Sequence, residues 1–222
     1  RAILARELTL DEIRAIRKAT DSIELESFVH GALCVSYSGQ CYMSYAVGGR
    51  SGNRGECAQP CRRRYDLVDS RDRMLVRDKF LLSLRDMNRM ADLGAMLDAG
   101  VTSFKIEGRL KDRAYVTNVV SAYRQALDAA MAPRGLRRSS SGQSRICFIP
   151  DVHKTFNRAY TPYFLHGRER SPGSLDTPKM IGEPVGTITE LGAKTFTIQT
   201  TVELHNGDGL SFFDTTDTLC GT

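Results

Sequence analysis

Short apolar runs alternate with amphipathic stretches along the first 130 or so residues. Ala2-Ile3-Leu4-Ala5 reads as a strand, and Thr9-Leu-Asp-Glu12 behind it is a capping box, in which a Thr oxygen and a Glu carboxylate satisfy free N–H groups of a helix start. Leu10, Ile13 and Ile16 form the inward stripe of that helix. The run from Ile23 to Val29 predicts a second strand leading straight into His30-Gly31. Tyr65-Asp-Leu-Val68 and Met74-Leu-Val76 flank the polar Asp69-Ser-Arg-Asp72 and predict a hairpin. Ser83-Leu-Arg-Asp86 reads as the cap of a helix whose Leu84, Met87, Met90, Leu93, Ala95 and Leu97 recur mostly three or four apart, ending at Ala99-Gly100. Val101 to Ile106 predicts a strand, Glu107-Gly-Arg109 the turn after it, and Asp112 to Met131 a long helix stopped before Pro133.

Repeated strand–helix units imply a parallel sheet, and the common closed form is a (β/α) barrel with its chemistry at the C-terminal strand ends. Only three units are visible, whereas a barrel of about eight strands takes roughly 250 residues. The fold class is therefore α/β: residues 1–132 read as the C-terminal part of a (β/α) TIM-like barrel whose beginning is missing. The basic, Gly/Ser-rich stretch 133–145 reads as a linker, and residues 146–222 as a small antiparallel β-domain, itself truncated. Val185-Gly-Thr-Ile-Thr189, Thr195-Phe-Thr-Ile-Gln199 and Gly209-Leu-Ser-Phe-Phe213 are its strands. Unclosed sheet edges predict an isolated fragment that is poorly soluble and inactive.

Composition adds chemistry. The 222 residues are 41% hydrophobic with a net charge of +5, and no apolar run approaches the 18 or so residues of a membrane span. No secretory signal opens the chain, so the reading is a cytoplasmic globular protein. Four of its six cysteines, Cys34, Cys41, Cys57 and Cys61, are crowded into a loop at 30–64 that is rich in glycine. Thiolate ligation suits that pattern better than a disulfide framework, and either an iron–sulfur cluster or zinc satisfies the spacing. Cys147, in Ile146-Cys-Phe-Ile149, reads as a small buried hydrophobe. Arg50, Arg54, Arg62, Arg63 and Arg64 beside the cysteines suit RNA phosphates, and Tyr37, Tyr42 and Tyr45 offer stacking faces.

Glu26-Ser-Phe-Val-His-Gly-Ala-Leu-Cys34, Ser38-Gly-Gln-Cys41, Arg50-Ser-Gly-Asn-Arg-Gly-Glu-Cys57, Cys61-Arg62 and Phe104-Lys-Ile-Glu-Gly-Arg-Leu-Lys-Asp112 resemble the collagenase-like peptidase family U32. Despite that name, the resemblance implies RNA hydroxylation: cytidine C5 of large-subunit rRNA first, tRNA uridine C5 next. It implies a [4Fe–4S] cluster on Cys34, Cys41, Cys57 and Cys61, and prephenate as the hydroxyl donor. Arg109 is then the candidate to grip a prephenate carboxylate through paired hydrogen bonds, with Lys105 beside it. An Arg109–Glu107 ion pair at the barrel rim is the structural alternative. His30 and Glu107 are the candidate proton-handling groups, with a satisfied His that supports the cysteine loop as the favoured alternative for His30, and Arg62 and Arg63 are the candidate RNA contacts. A literal peptidase lacks support because His-Glu-x-x-His and Gly-x-Ser-x-Gly are absent. A zinc-braced RNA-binding module is the non-enzymatic alternative.

Overall fold

The capping box starts the first helix as expected. In the computed structural model, which describes residues 1–216 and 218–221, Thr9 Oγ1 accepts from the Glu12 N–H at 3.3 Å and the Glu12 carboxylate accepts from the Thr9 N–H at 2.8 Å. Strand β1 (Ala2–Ile3) thus passes into α1 (Leu10–Ala19), which buries Leu10 and Ile13 and returns the chain to β2 (Leu25–Gly31). The cysteine segment carries one short helix, α2 (Met43–Gly48). The expected hairpin forms from β3 (Tyr65–Val68) and β4 (Met74–Lys79).

The next stretch departs from the helix expected over 84–97. Asp86–Asn88 is instead β5, and only Leu93–Asp98 is helical as α3, preceded by a 3-10 turn at Met90–Asp92. Both residues read as the helix cap are taken by tertiary partners. Ser83 Oγ accepts from Arg62 at 2.8 Å, and the Asp86 carboxylate accepts from the Arg158 N–H at 3.1 Å and its guanidinium at 2.8 Å. Strand β6 (Val101–Ile106) and helix α4 (Arg113–Met131) follow as expected, with Asp112 capping α4 through the Tyr115 N–H at 2.7 Å.

Strand β2 is the hub of a five-stranded sheet. β6 runs parallel along one edge of it. β1 (parallel, at Leu25 and Glu26) and β5 (antiparallel, at His30 and Gly31) share the other edge in succession, and β7 (Tyr160–Thr161) lies parallel to β5. The sheet is therefore mixed and open among the described residues, where strand–helix arithmetic gave parallel strands alone. Leu25, Val29 and Val101 pack on one face against Ile13, Leu93, Met96, Val119 and Tyr123 of the helices. A smaller cluster of Leu33, Leu84, Met87 and Tyr163 gathers with Phe28 and Phe164.

The domain boundary expected at residue 146 moves downstream. After the exposed, irregular stretch 139–145 the chain returns to the first body: Val152 and Leu165 enter the main core, Tyr163 the second cluster, and Asn118 exchanges two hydrogen bonds with the Asp151 backbone. Cys147 is exposed rather than buried, because Ile146 to Ile149 precede that return and stay at the surface. The β-rich part comprises two hairpins, β8 (Gly186–Leu191) with β9 (Phe196–Thr200) and β10 (Ser211–Phe213) with β11 (Leu219–Gly221). Among the described residues no helix is long and apolar enough to cross a membrane.

Candidate functional site

The cysteine loop leaves β2 at Gly31, where φ is +103° and an added Cβ would lie 2.2 Å from the Glu107 carbonyl oxygen. Only glycine lets the turn after β6 come so close, and the Glu107 N–H donates to the His30 carbonyl at 2.8 Å. Two loops expected to carry chemistry are thereby locked side by side. Cys34, Cys41 and Cys61 are half-buried and Cys57 exposed. Burial pushes the Cys34 and Cys61 thiols up, and each lies within the electrostatic reach of other cysteines of the quartet: Cys34 of Cys41 and Cys57, Cys61 of all three. Among the described residues no three His, Cys, Asp or Glu side chains stand close enough to hold a single metal ion. The donor chemistry fits a soft metal or an iron–sulfur cluster, being four thiols on one loop, with the Gln59 N–H donating to Cys57 Sγ at 3.3 Å.

Polar staples shape this loop. The Glu7 carboxylate accepts from the Ser38 N–H at 2.8 Å and its hydroxyl at 2.9 Å, Asn53 Oδ1 from the Cys41 N–H at 3.2 Å, and Ser44 Oγ from the Ala58 N–H at 2.9 Å. Arg62, expected to face RNA, corrects that reading. Its guanidinium is turned inward, donating to Ser83 Oγ at 2.8 Å and to the carbonyls of Leu84 and Leu33 at 2.6 and 3.0 Å. Because Arg62 follows Cys61 and Leu33 precedes Cys34, one side chain joins the two ends of the quartet. Arg63 points to solvent, while Arg64 is paired with Asp78.

Beside the loop, the sheet face opposite α4 is charged. Arg6 lies over the Phe28 ring at 3.9 Å and Lys105 reaches the same ring at 5.0 Å, so a cation sits near it from two elements. The Glu107 carboxylate pairs with Arg6 at 3.2 Å, not with Arg109, so the alternative of an Arg109–Glu107 pair does not form. Arg109 is exposed, its Nη1 3.8 Å from where a Gly55 side chain would begin, hence against the cysteine loop, and it makes no side-chain hydrogen bond among the described residues. Sequence reasoning missed Arg6, Glu7 and Arg89. Arg89 is fully buried, burial lowering its guanidinium to about 10, and it donates to the carbonyls of Pro162, Phe28 and Arg6. A charged residue at an apolar-spaced position of the expected helix was the one signal for it.

His30 does not face this arrangement as a proton donor. It is 1% exposed, ringed by Tyr115, Tyr123 and Tyr160, with Nδ1 3.3 Å from the Tyr123 hydroxyl and a buried Nε2 that has no partner. Burial, helped by His153, drives its pKa down to about 4, so the ring is neutral near pH 7. The candidate acid becomes a packing residue.

The family model described as peptidase family U32 matches residues 1–174. The 23S rRNA 5-hydroxycytidine synthase of Escherichia coli is 51% identical over 210 residues, which cover 94% of this chain and 32% of that relative. A tRNA hydroxylation protein of Bacillus subtilis is 41% identical over 138 residues, covering 60% and 32%. A collagenase of Porphyromonas gingivalis is 31% identical over 225 residues, covering 93% and 53%. The chain spans about a third to about half of the length of these relatives. No solved structure matches it significantly. The match runs through β1, the cysteine loop, the Glu107–Arg109 turn and the segment that returns to the core, and the chain belongs to peptidase family U32.

Proposed function

We propose that this chain is part of a cytoplasmic RNA hydroxylase that forms 5-hydroxycytidine in large-subunit rRNA, with its sheet contributing the C-terminal portion of a (β/α) barrel. The observation that carries the reading is the stapled four-cysteine loop, set beside the Glu107–Arg109 turn, in a chain half identical to an rRNA 5-hydroxycytidine synthase. Cys34, Cys41, Cys57 and Cys61 would hold a [4Fe–4S] cluster, whose contribution is redox capacity at the strand ends. Arg109 would grip a carboxylate of prephenate, the hydroxyl source, while Arg6 and Lys105 keep the adjoining surface positive and Glu107 fixes Arg6. Arg63 and Arg54, both exposed on the loop, would meet RNA phosphates.

A histidine-activated serine or cysteine nucleophile of the peptidase kind is not assembled among the described residues. Among the described residues none of the four histidines hydrogen-bonds a serine or cysteine side chain: His30 meets Tyr123, His166 Asp92, and His205 is paired with acids. Mass spectrometry of nucleosides from cells lacking the full-length gene tests the assignment. The expected result is rRNA without 5-hydroxycytidine and unchanged tRNA. Undiminished rRNA 5-hydroxycytidine overturns it, and loss of 5-hydroxyuridine from tRNA in its place would move the assignment to tRNA.

A further inference from the structure

A cleft of about 470 Å³ opens where the β1–α1 connection, the cysteine loop and the segment after β7 meet. Its walls are tied together in advance, by Glu7 on Ser38 and by the Leu10 N–H donating to the Leu165 carbonyl at 3.0 Å. Phe164 forms one aromatic wall. The φ of +59° at Tyr163 folds two neighbouring rings onto each other, with centroids 4.0 Å apart and planes 11° from parallel. Tyr163 is buried behind, so it braces Phe164 while the rim of the cleft keeps Phe164 half-exposed. Tyr37, 62% exposed and sited between Cys34 and Cys41, supplies a second ring. Arg168 lines the cleft and makes no ion pair among the described residues, while the two carboxylates there are turned onto local donors, Glu7 onto Ser38 and Glu12 onto the helix cap, and keep their charge.

Preformed aromatic faces beside one free guanidinium match an unpaired nucleotide, whose base stacks and whose phosphate is met by an arginine. We propose that this cleft binds one unpaired nucleotide of the RNA, its base against Phe164 and Tyr37 and its phosphate on Arg168. The inference rests on the RNA reading above and gives it a location. A bound nucleotide would touch the stretch between Cys34 and Cys41, which couples occupancy to the thiol loop.

Fluorescence anisotropy of a labelled single-stranded pyrimidine octamer on the full-length protein that contains this chain tests it. Tyr37→Ala and Phe164→Leu should each weaken binding about tenfold, with Tyr37→Phe retaining it. Arg168→Gln should weaken binding and cut the log–log salt slope by about 0.7, the share of one phosphate contact on a single strand. Arg145→Gln, a basic linker residue outside the cleft, should have a smaller effect than Arg168→Gln. Because Tyr37 is at the surface, its variant tests the site without risk to the fold. Wild-type binding that Tyr37→Ala leaves unchanged, or equal losses from Arg145→Gln and Arg168→Gln, would overturn the cleft and leave RNA binding elsewhere. No binding by the wild type would overturn both.

Discussion

Arg62 and Arg63 are neighbours that no sequence pattern distinguishes, yet one is a staple and the other faces solvent. The difference arises from carbonyls at Leu33 and Leu84, distant in sequence, that need a donor once the loop folds back. Arg62→Gln is expected to cost about 2–3 kcal/mol through lost charge-assisted hydrogen bonds. It should also open the stretch 33–61 to protease in protein stripped of metal, a readout independent of any bound group, and lower the iron retained after anaerobic purification. Wild-type protease resistance in that variant would reject the staple. His30 makes a separate, pH-dependent prediction. Its folded pKa of about 4 lies below the unfolded value of 6.5, so between those values the unfolded chain binds more protons. Stability is complete above pH 6.5 and falls as pH drops toward 4, by about 3 kcal/mol in all. Urea titrations of His30→Phe should show that acid slope diminished, and an unchanged slope would assign it to other groups.

At the scale of elements, what was legible was local. The Thr9 capping box, the β3–β4 hairpin and the Asp112-capped α4 depend on neighbours within a few residues, and each formed where the pattern put it. The misread element, β5, depends on distant ones: Asp86 joins Arg158 across 72 residues, with both side chains at most 10% exposed. A helix-like spacing of Leu84, Met87 and Met90 cannot register such a partner. Asp86→Ala leaves a guanidinium buried without its carboxylate and is expected to cost about 3–5 kcal/mol, measured by chemical denaturation. A cost below about 1 kcal/mol would mean that the pair is solvated rather than structural.

Across the whole molecule, composition marked residues 133–145 as a connection, but only packing shows that the chain then re-enters the first body. A single protease cut between residues 139 and 147 should therefore leave both pieces associated through gel filtration, separating only in denaturant. Pieces that part without denaturant would restore the boundary at 146. The crowding of four cysteines on one loop is written in the chain itself, whereas Arg6, Glu7 and Arg89, which shape the surroundings of that loop, act across the fold. The quartet bears the whole chemical account, and iron and acid-labile sulfide analysis of the anaerobically purified full-length protein that contains this chain tests it most directly. The account predicts brown protein with about four irons and four sulfides per chain, both lost in Cys34→Ser. Colourless protein carrying about one zinc and no sulfide would contradict it.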